Sequence, residues 1–237
     1  MLACPYCKTE VPTGERFCPA CLLGLRVEGD ALAPVFPTIT PGRTLYEADF
    51  RTSPPPRYPS RAHAMSPRMR FDPHEGGLLF TLLEPRTPTF PNPDVELRDA
   101  CVRARFTVLD PGARIGVVAR RSALAEGRVG YALDVTPDRN EAWLKRVFEA
   151  NAHADSTTVA IRKGHAGIPA PGPTTDVELR LLGPTIQIVV DGALVATHHD
   201  PHYGVGAFGF RVGRETEASD VPVRVVCHGF DVREVIR

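Results

Sequence analysis

From residue 100 onward the chain alternates. Ala100, Val102, Ala104, Phe106 and Val108 interleave with Cys101, Arg103, Arg105 and Thr107, and the run closes on Asp110-Pro111-Gly112. A period of two puts the two sets on opposite faces of a strand, which a helix cannot do. The pattern recurs at short intervals. Ile115 to Arg120 and Val129 to Val135 read as strands, the second ending at Thr136-Pro137-Asp138. Trp143 to Phe148 is a further candidate, and Val177, Leu179 and Leu181 alternate with Glu178 and Arg180. Ile186 to Val190 runs into Asp191-Gly192, a tight-hairpin signal, then Ala193 to Thr197. Val205 to Val212 and Val221 to Val232 complete the series. Many short strands at turn spacing predict an antiparallel sandwich.

Composition agrees and narrows the class. Proline is 24 of 237 residues, twice ordinary usage, which disfavours a helical bundle. Lys+Arg and Asp+Glu are both 28, so formal net charge is zero. A nucleic-acid coat or membrane-surface binder needs a basic excess, and neither partner is expected. No 18-residue apolar run exists; Leu78 to Leu83 and Ile186 to Val190 have strand length. The first residues lack a basic segment followed by an apolar one, so no secretory signal is read and the expected location is the cytoplasm.

Four of the six cysteines stand in two Cys-x-x-Cys pairs, Cys4/Cys7 and Cys18/Cys21, ten residues apart. Each pair forms a turn that aims two sulfurs at one point, and two such turns complete a tetrahedral sulfur shell suited to Zn2+. Val11 to Phe17 between them fits a small hairpin with Gly14 at its turn. All four coordination positions come from protein, so one structural zinc is expected and no catalytic one. So short a segment has almost no core, and metal affinity is its folding free energy. Redox Cys-x-x-Cys chemistry is the alternative, but no βαβ pattern surrounds the pairs.

Cys-Pro-x-Cys…Val-Pro-x-Gly-x-x-Phe-Cys-Pro-x-Cys resembles the small bacterial zinc-ribbon family over residues 1–26. That family usually has Gly after each second cysteine, where Lys8 and Leu22 stand here. Lys8, Arg16 and Arg26 face Glu10 and Glu15 in this segment. One extra positive charge is too little for nucleic acid, and a protein-docking role is the expectation. Residues 27–42, with Gly29, Pro34, Pro37, Pro41 and Gly42, read as a linker. Residues 51–70 hold five arginines, five prolines and no acid. They read as a surface loop, or as a basic polyproline segment that docks on an acidic or aromatic groove.

Residues 43–237 resemble the concanavalin A-like jelly rolls, near laminin G-like and 3-keto-disaccharide-hydrolase-like domains. The resemblance rests on Leu45 to Phe50, Asp94 to Val102, and Gly116 to Arg120 followed by Gly130-Tyr131. It continues through Val177 to Gly183, Ile186 to Gly192, Gly204 to Gly209 and His228 to Val232. It implies an all-β, two-sheet antiparallel sandwich whose face or rim binds sugar or protein, without implying catalysis. Glycosidase relatives carry Glu-x-Asp-x-x-Glu on one strand, acid and nucleophile flanking the bond. The nearest match, Glu47-x-Asp49-x-x-Thr52, lacks the third carboxylate and is read as chance, so no catalytic residue is assigned.

The candidate ligand-binding residues are Arg103, Arg105, Arg120, Tyr131 and Trp143. Arginines that share one sheet face offer planar forks to an anionic or carbohydrate ligand, and an aromatic face suits a pyranose. The bland alternatives are solvated, ion-paired faces for the arginines and core or edge packing for the aromatics. His198-His199-Asp200-Pro201-His202 carries metal-competent groups, but chain neighbours point apart, and the segment reads as a turn. The leading reading is a non-catalytic zinc-ribbon adaptor whose jelly roll recognises a protein partner. The alternative is a carbohydrate-binding module, and behind it a glycoside hydrolase.

Overall fold

A computed structural model describes residues 1–52, 69–74, 76–84, 89–124, 127–150, 153–163, 174–215 and 221–236. Two small sheets lie at the N-terminus. β1 (Leu2–Ala3) pairs with β2 (Glu10–Val11), and β3 (Gly24–Glu28) forms a hairpin with β4 (Ala31–Val35). Part of the stretch read as a linker is therefore strand. Gly29, at φ 61°, makes the reversal that joins the two strands. The remainder is tied down: Gln187 Nε2 donates to Pro37 O at 3.2 Å and an Arg180 Nη to Ile39 O at 3.2 Å.

The other strands are β5 (Thr40–Asp49), β6 (Met69–His74), β7 (Gly77–Leu82), β8 (Thr89–Leu97), β9 (Ala100–Val108), β10 (Ala113–Leu124) and β11 (Gly127–Thr136). After a 3-10 turn at Pro137–Arg139 come β12 (Glu141–Ala150), β13 (His153–Lys163), β14 (Thr174–Leu182), β15 (Thr185–Val190), β16 (Ala193–His199), β17 (Gly206–Arg214) and β18 (Val223–Ile236). They make two large antiparallel sheets. One has six strands in the order β13-β12-β11-β10-β17-β8. The other has eight, ordered β16-β15-β14-β9-β18-β7-β6, with β5 paired to the second half of β18.

The sheets enclose one core. Its side chains are the apolar set of the alternating pattern: Val102, Ala104 and Phe106 of β9, Leu133 and Val135 of β11, Leu179 and Leu181 of β14. Phe210 sits among Phe50, Phe80, Phe90, Phe106 and Phe230, with ring centroids 5.0 to 6.4 Å apart. Such aromatic packing adds to the area buried and fixes the spacing of the sheets. Asp191 and Gly192 have φ of 48° and 78°, the two positive values a tight hairpin turn requires. β13 has no sequence signal as clear as its neighbours'. β8 carries Pro91 and Pro93 and lies at a sheet edge, where a missing N–H is tolerated.

Cys101 and Cys227 are not neighbours. In register, Cys227 stands opposite Phe106 and Arg233 opposite Cys101, so the thiols are about five residues apart along the strands, roughly 17 Å. They also face opposite sides: Cys227 belongs to the core, Cys101 to an outer cluster with Ile39 and Leu182. Both are free and buried, and burial pushes Cys101 up to about 12.

Candidate functional site

The four cysteines of the N-terminal pairs converge. Their sulfurs all lie within 4.8 Å of one another, Cys4 to Cys21 at 3.8 Å and Cys7 to Cys18 at 3.5 Å. A tetrahedron with metal–sulfur bonds of about 2.3 Å has sulfur–sulfur edges of roughly 3.8 Å, so the cluster fits such an ion. The two turns have the same construction. Lys8 N donates to Cys4 O and Leu22 N to Cys18 O, at 3.0 and 2.9 Å. Lys8 and Leu22 take φ of 65° and 61°, the left-handed conformation that glycine adopts without cost. Hydrogen bonding with Thr9 lowers the Cys7 thiol to about 6, whereas burial raises Cys21 to about 12, so the more exposed member of the cluster gives up its proton more readily than the buried one.

The outer face of the eight-stranded sheet holds an open depression of about 70 Å³. β5 forms one wall with Glu47 and Asp49, and Arg51 stands at its end. β9 supplies Arg103 and Arg105, and β18 supplies His228 and Asp231. These are the polar positions of strands whose alternate residues fill the core. Each guanidinium is pinned. Arg105 grips Asp176 with two bonds of 2.7 and 3.0 Å, and Arg51 grips Asp49 at 2.9 and 2.7 Å. Arg103 donates twice to one oxygen of Asp231, and Arg233 takes the other at 2.6 Å. The Arg51 guanidinium holds Asp49 at about 2, far below the ordinary carboxylate range.

A bulge shapes the floor. The β9–β18 register slips between Cys227 and Gly229, which aims His228 outward. His228 Nε2 lies 2.8 Å from Thr107 Oγ1, and Nδ1 contacts Gly76 O. A Cβ on Gly229 would come within 2.2 Å of Ala48 O, so only glycine lets β5 close against the bulge.

The other named residues lie elsewhere. Arg120 is 1% exposed and is itself a bulge residue, at φ 51°. It donates to Arg98 O, Tyr203 O and Gly183 O at 2.6 to 2.8 Å, binding three loops together from inside. Tyr131 is fully buried; its hydroxyl donates to Asp200 O and accepts from Tyr203 N, both at 3.1 Å. Neither offers a surface to a ligand. Trp143 is half-buried on the outer face of the six-stranded sheet. Its indole N–H reaches Glu141, and Lys145 Nζ lies 5.5 Å from its ring centre. Beside it Asp134, fully buried, bridges Lys145 and Arg211 at 3.0 and 3.1 Å. Asp134 is costly to desolvate, yet Arg211 and Lys145 keep it below the ordinary carboxylate value.

Of the His198–His202 group, no member joins a metal-ligand cluster among the described residues. His199 instead bonds Cys21 O, and Asp200 takes Arg146 Nε at 2.7 Å. The groove residues that sequence reasoning missed are Arg51, Asp231 and His228, together with Glu47 and Asp49, set aside there as a chance match. The bulge that brings His228 round has no signal beyond the glycine after it.

No family model and no curated protein sequence matches the chain. Solved structures do. Carbohydrate-binding module CBM66 from Bacillus subtilis is 16% identical, with 70% of this chain and 92% of that one covered and a TM-score of 0.54. The likeness is one of fold. A Bacillus subtilis protein of unknown function with a galectin-like fold matches at 13%, covering 84% of this chain and 100% of that one, TM-score 0.53. A native glycosidic hydrolase matches at 9%, covering 81% and 97%, TM-score 0.52. The chain is thus a jelly-roll sandwich carrying an N-terminal four-cysteine cluster that could bind a metal ion.

Proposed function

We propose that the sandwich is a non-catalytic carbohydrate-binding domain, and that the cysteine cluster holds one structural Zn2+. The reading rests on the charge-balanced groove. Glu47, Asp49 and Asp231 line it together with Arg51, Arg103 and Arg105, three acids against three bases. A cation meets the guanidiniums and an anion meets the carboxylates. A neutral diol suits both, because each hydroxyl donates to a carboxylate and accepts from a guanidinium N–H. The pairs are already fixed by each other, so little side-chain freedom is lost on binding. Arg103 and Arg105 are the two candidates from the sequence that line it.

The jelly-roll neighbours, a carbohydrate-binding module and a glycosidic hydrolase among them, favour this reading over the protein adaptor, which none of them supports. Hydrolysis is the weaker alternative. A general acid needs a raised pKa, and Asp49 is held down at about 2.

The test is titration of the full chain with neutral oligosaccharides found by glycan screening. Arg105→Ala is expected to weaken binding about tenfold, the loss of hydrogen bonds to a charged group, with folding unchanged. Trp143→Ala, on the other sheet, is expected to leave affinity unaltered. The reverse pattern would move the site to the six-stranded face. Metal analysis is expected to give about one Zn per chain.

A further inference from the structure

The metal centre is not a bead on a string. Cys21, a ligand in the cluster, turns its carbonyl to His199 at the end of β16, and the Nε2–O distance is 2.8 Å. His199 is 3% exposed, and its Nδ1 is buried without a hydrogen-bond partner among the described residues. So Nε2 carries the one hydrogen bond this ring makes there, and the tautomer with hydrogen on Nε2 suits the carbonyl. From the first turn, Tyr6 sets its ring edge-to-face on His199 at 4.9 Å and on His198 at 6.4 Å. The Arg146 guanidinium, near enough to act electrostatically on the Tyr6 hydroxyl, pairs with buried Asp200 at 2.7 Å. Asp200 in turn accepts from His202 N and, through its carbonyl, from Tyr131. Both cysteine turns thus grip the junction of β16 and the Asp200–Tyr203 loop.

β16 is an edge strand of the eight-stranded sheet. Edge strands are the least protected part of a sheet and open first unless covered. The cover here is a segment whose own buried apolar cluster is small, Val11, Leu23 and Leu25 beside the cysteines. So small a core leaves much of the segment's stability to a metal bound at the proposed site.

We infer that metal loading at Cys4, Cys7, Cys18 and Cys21 locks the end of β16 and the Asp200–Tyr203 loop, so that metal loss releases that edge of the sandwich. The inference rests on the proposed metal site and is independent of the carbohydrate reading.

Hydrogen exchange read by mass spectrometry on the full chain tests it, with zinc bound and after chelation, metal content being measured in each sample. Chelation is expected to speed exchange in peptides covering 193–203 by about tenfold, the scale of one buried hydrogen bond, while the β9–β14 peptides stay unchanged. Tyr6→Ala and His199→Gln are expected to bind zinc and yet lose most of this metal-dependent protection. Tyr6 is 37% exposed, so its variant remains informative if His199→Gln does not fold. Exchange in 193–203 that ignores zinc, a Tyr6→Ala chain that keeps the full zinc effect, or a native chain that binds no zinc would each overturn it.

Discussion

Leu22 shows what a single residue costs the second cysteine turn. Its side chain is 67% exposed and its φ is 61°, so it loses conformational energy without gaining burial. Leu22→Gly is expected to tighten metal binding and stabilise the N-terminal segment by about 1 kcal/mol, measured by chelator competition. Arg120 stands at the other extreme. Its buried guanidinium satisfies three carbonyls from three loops. Arg120→Met is expected to leave them unpaired and to cost about 3 kcal/mol or more in denaturant unfolding. The sequence marks Arg120 as a polar residue on an apolar strand, but its face depends on a bulge between Ala119 and Ser122 that alternation does not reveal. That slip turns an expected ligand contact into an internal brace. Arg103 and Arg105 sit on a regular stretch of β9 and share the outer face, a facing that the sequence reading left open.

Strands were legible wherever one face was buried. β9, β11 and β14 follow their alternating patterns because burial of alternate residues fixes register, while β15, buried on both faces, shows as a continuous apolar run closed by Asp191-Gly192. The β3–β4 hairpin was not, since its residues are half-exposed and Pro34 resembles a linker. The pairing of β5 with β18 joins residues about 180 apart, and no local signal encodes that distance. On the six-stranded sheet, Asp134 links β11 to β12 through Lys145 and to β17 through Arg211. Its folded pKa lies below the unfolded value, so the folded state binds fewer protons near pH 4. Stability from this group is present above the ordinary carboxylate pKa and is lost as pH falls through the folded value. Asp134→Asn is expected to flatten the acid limb of the stability curve below about pH 4 and to lower stability at neutral pH, because two buried cations lose their partner. An unchanged acid limb in this variant would assign the dependence to other carboxylates, Asp49 first among them.

At the scale of the whole molecule, two features stand at separate places on one sandwich: a four-cysteine cluster clamped to the β16 edge and a balanced groove on β5, β9 and β18. The cluster was legible because cysteine spacing alone reports it. The groove was legible only in part, because Asp231 and His228 reach it from β18, a strand distant in sequence from β5 and β9. Its zero net charge carries the central claim. The measurement that tests it most directly is a glycan screen of the zinc-loaded full chain, with neutral, uronic-acid and sulfated oligosaccharides side by side. The strongest binders would then be titrated between about 50 and 500 mM salt, a range that screens exposed charges strongly. The account predicts that neutral glycans bind, that affinity barely changes with salt, and that Arg105→Ala weakens it. Binding confined to acidic glycans and lost at high salt, or no glycan binding at all, would contradict it.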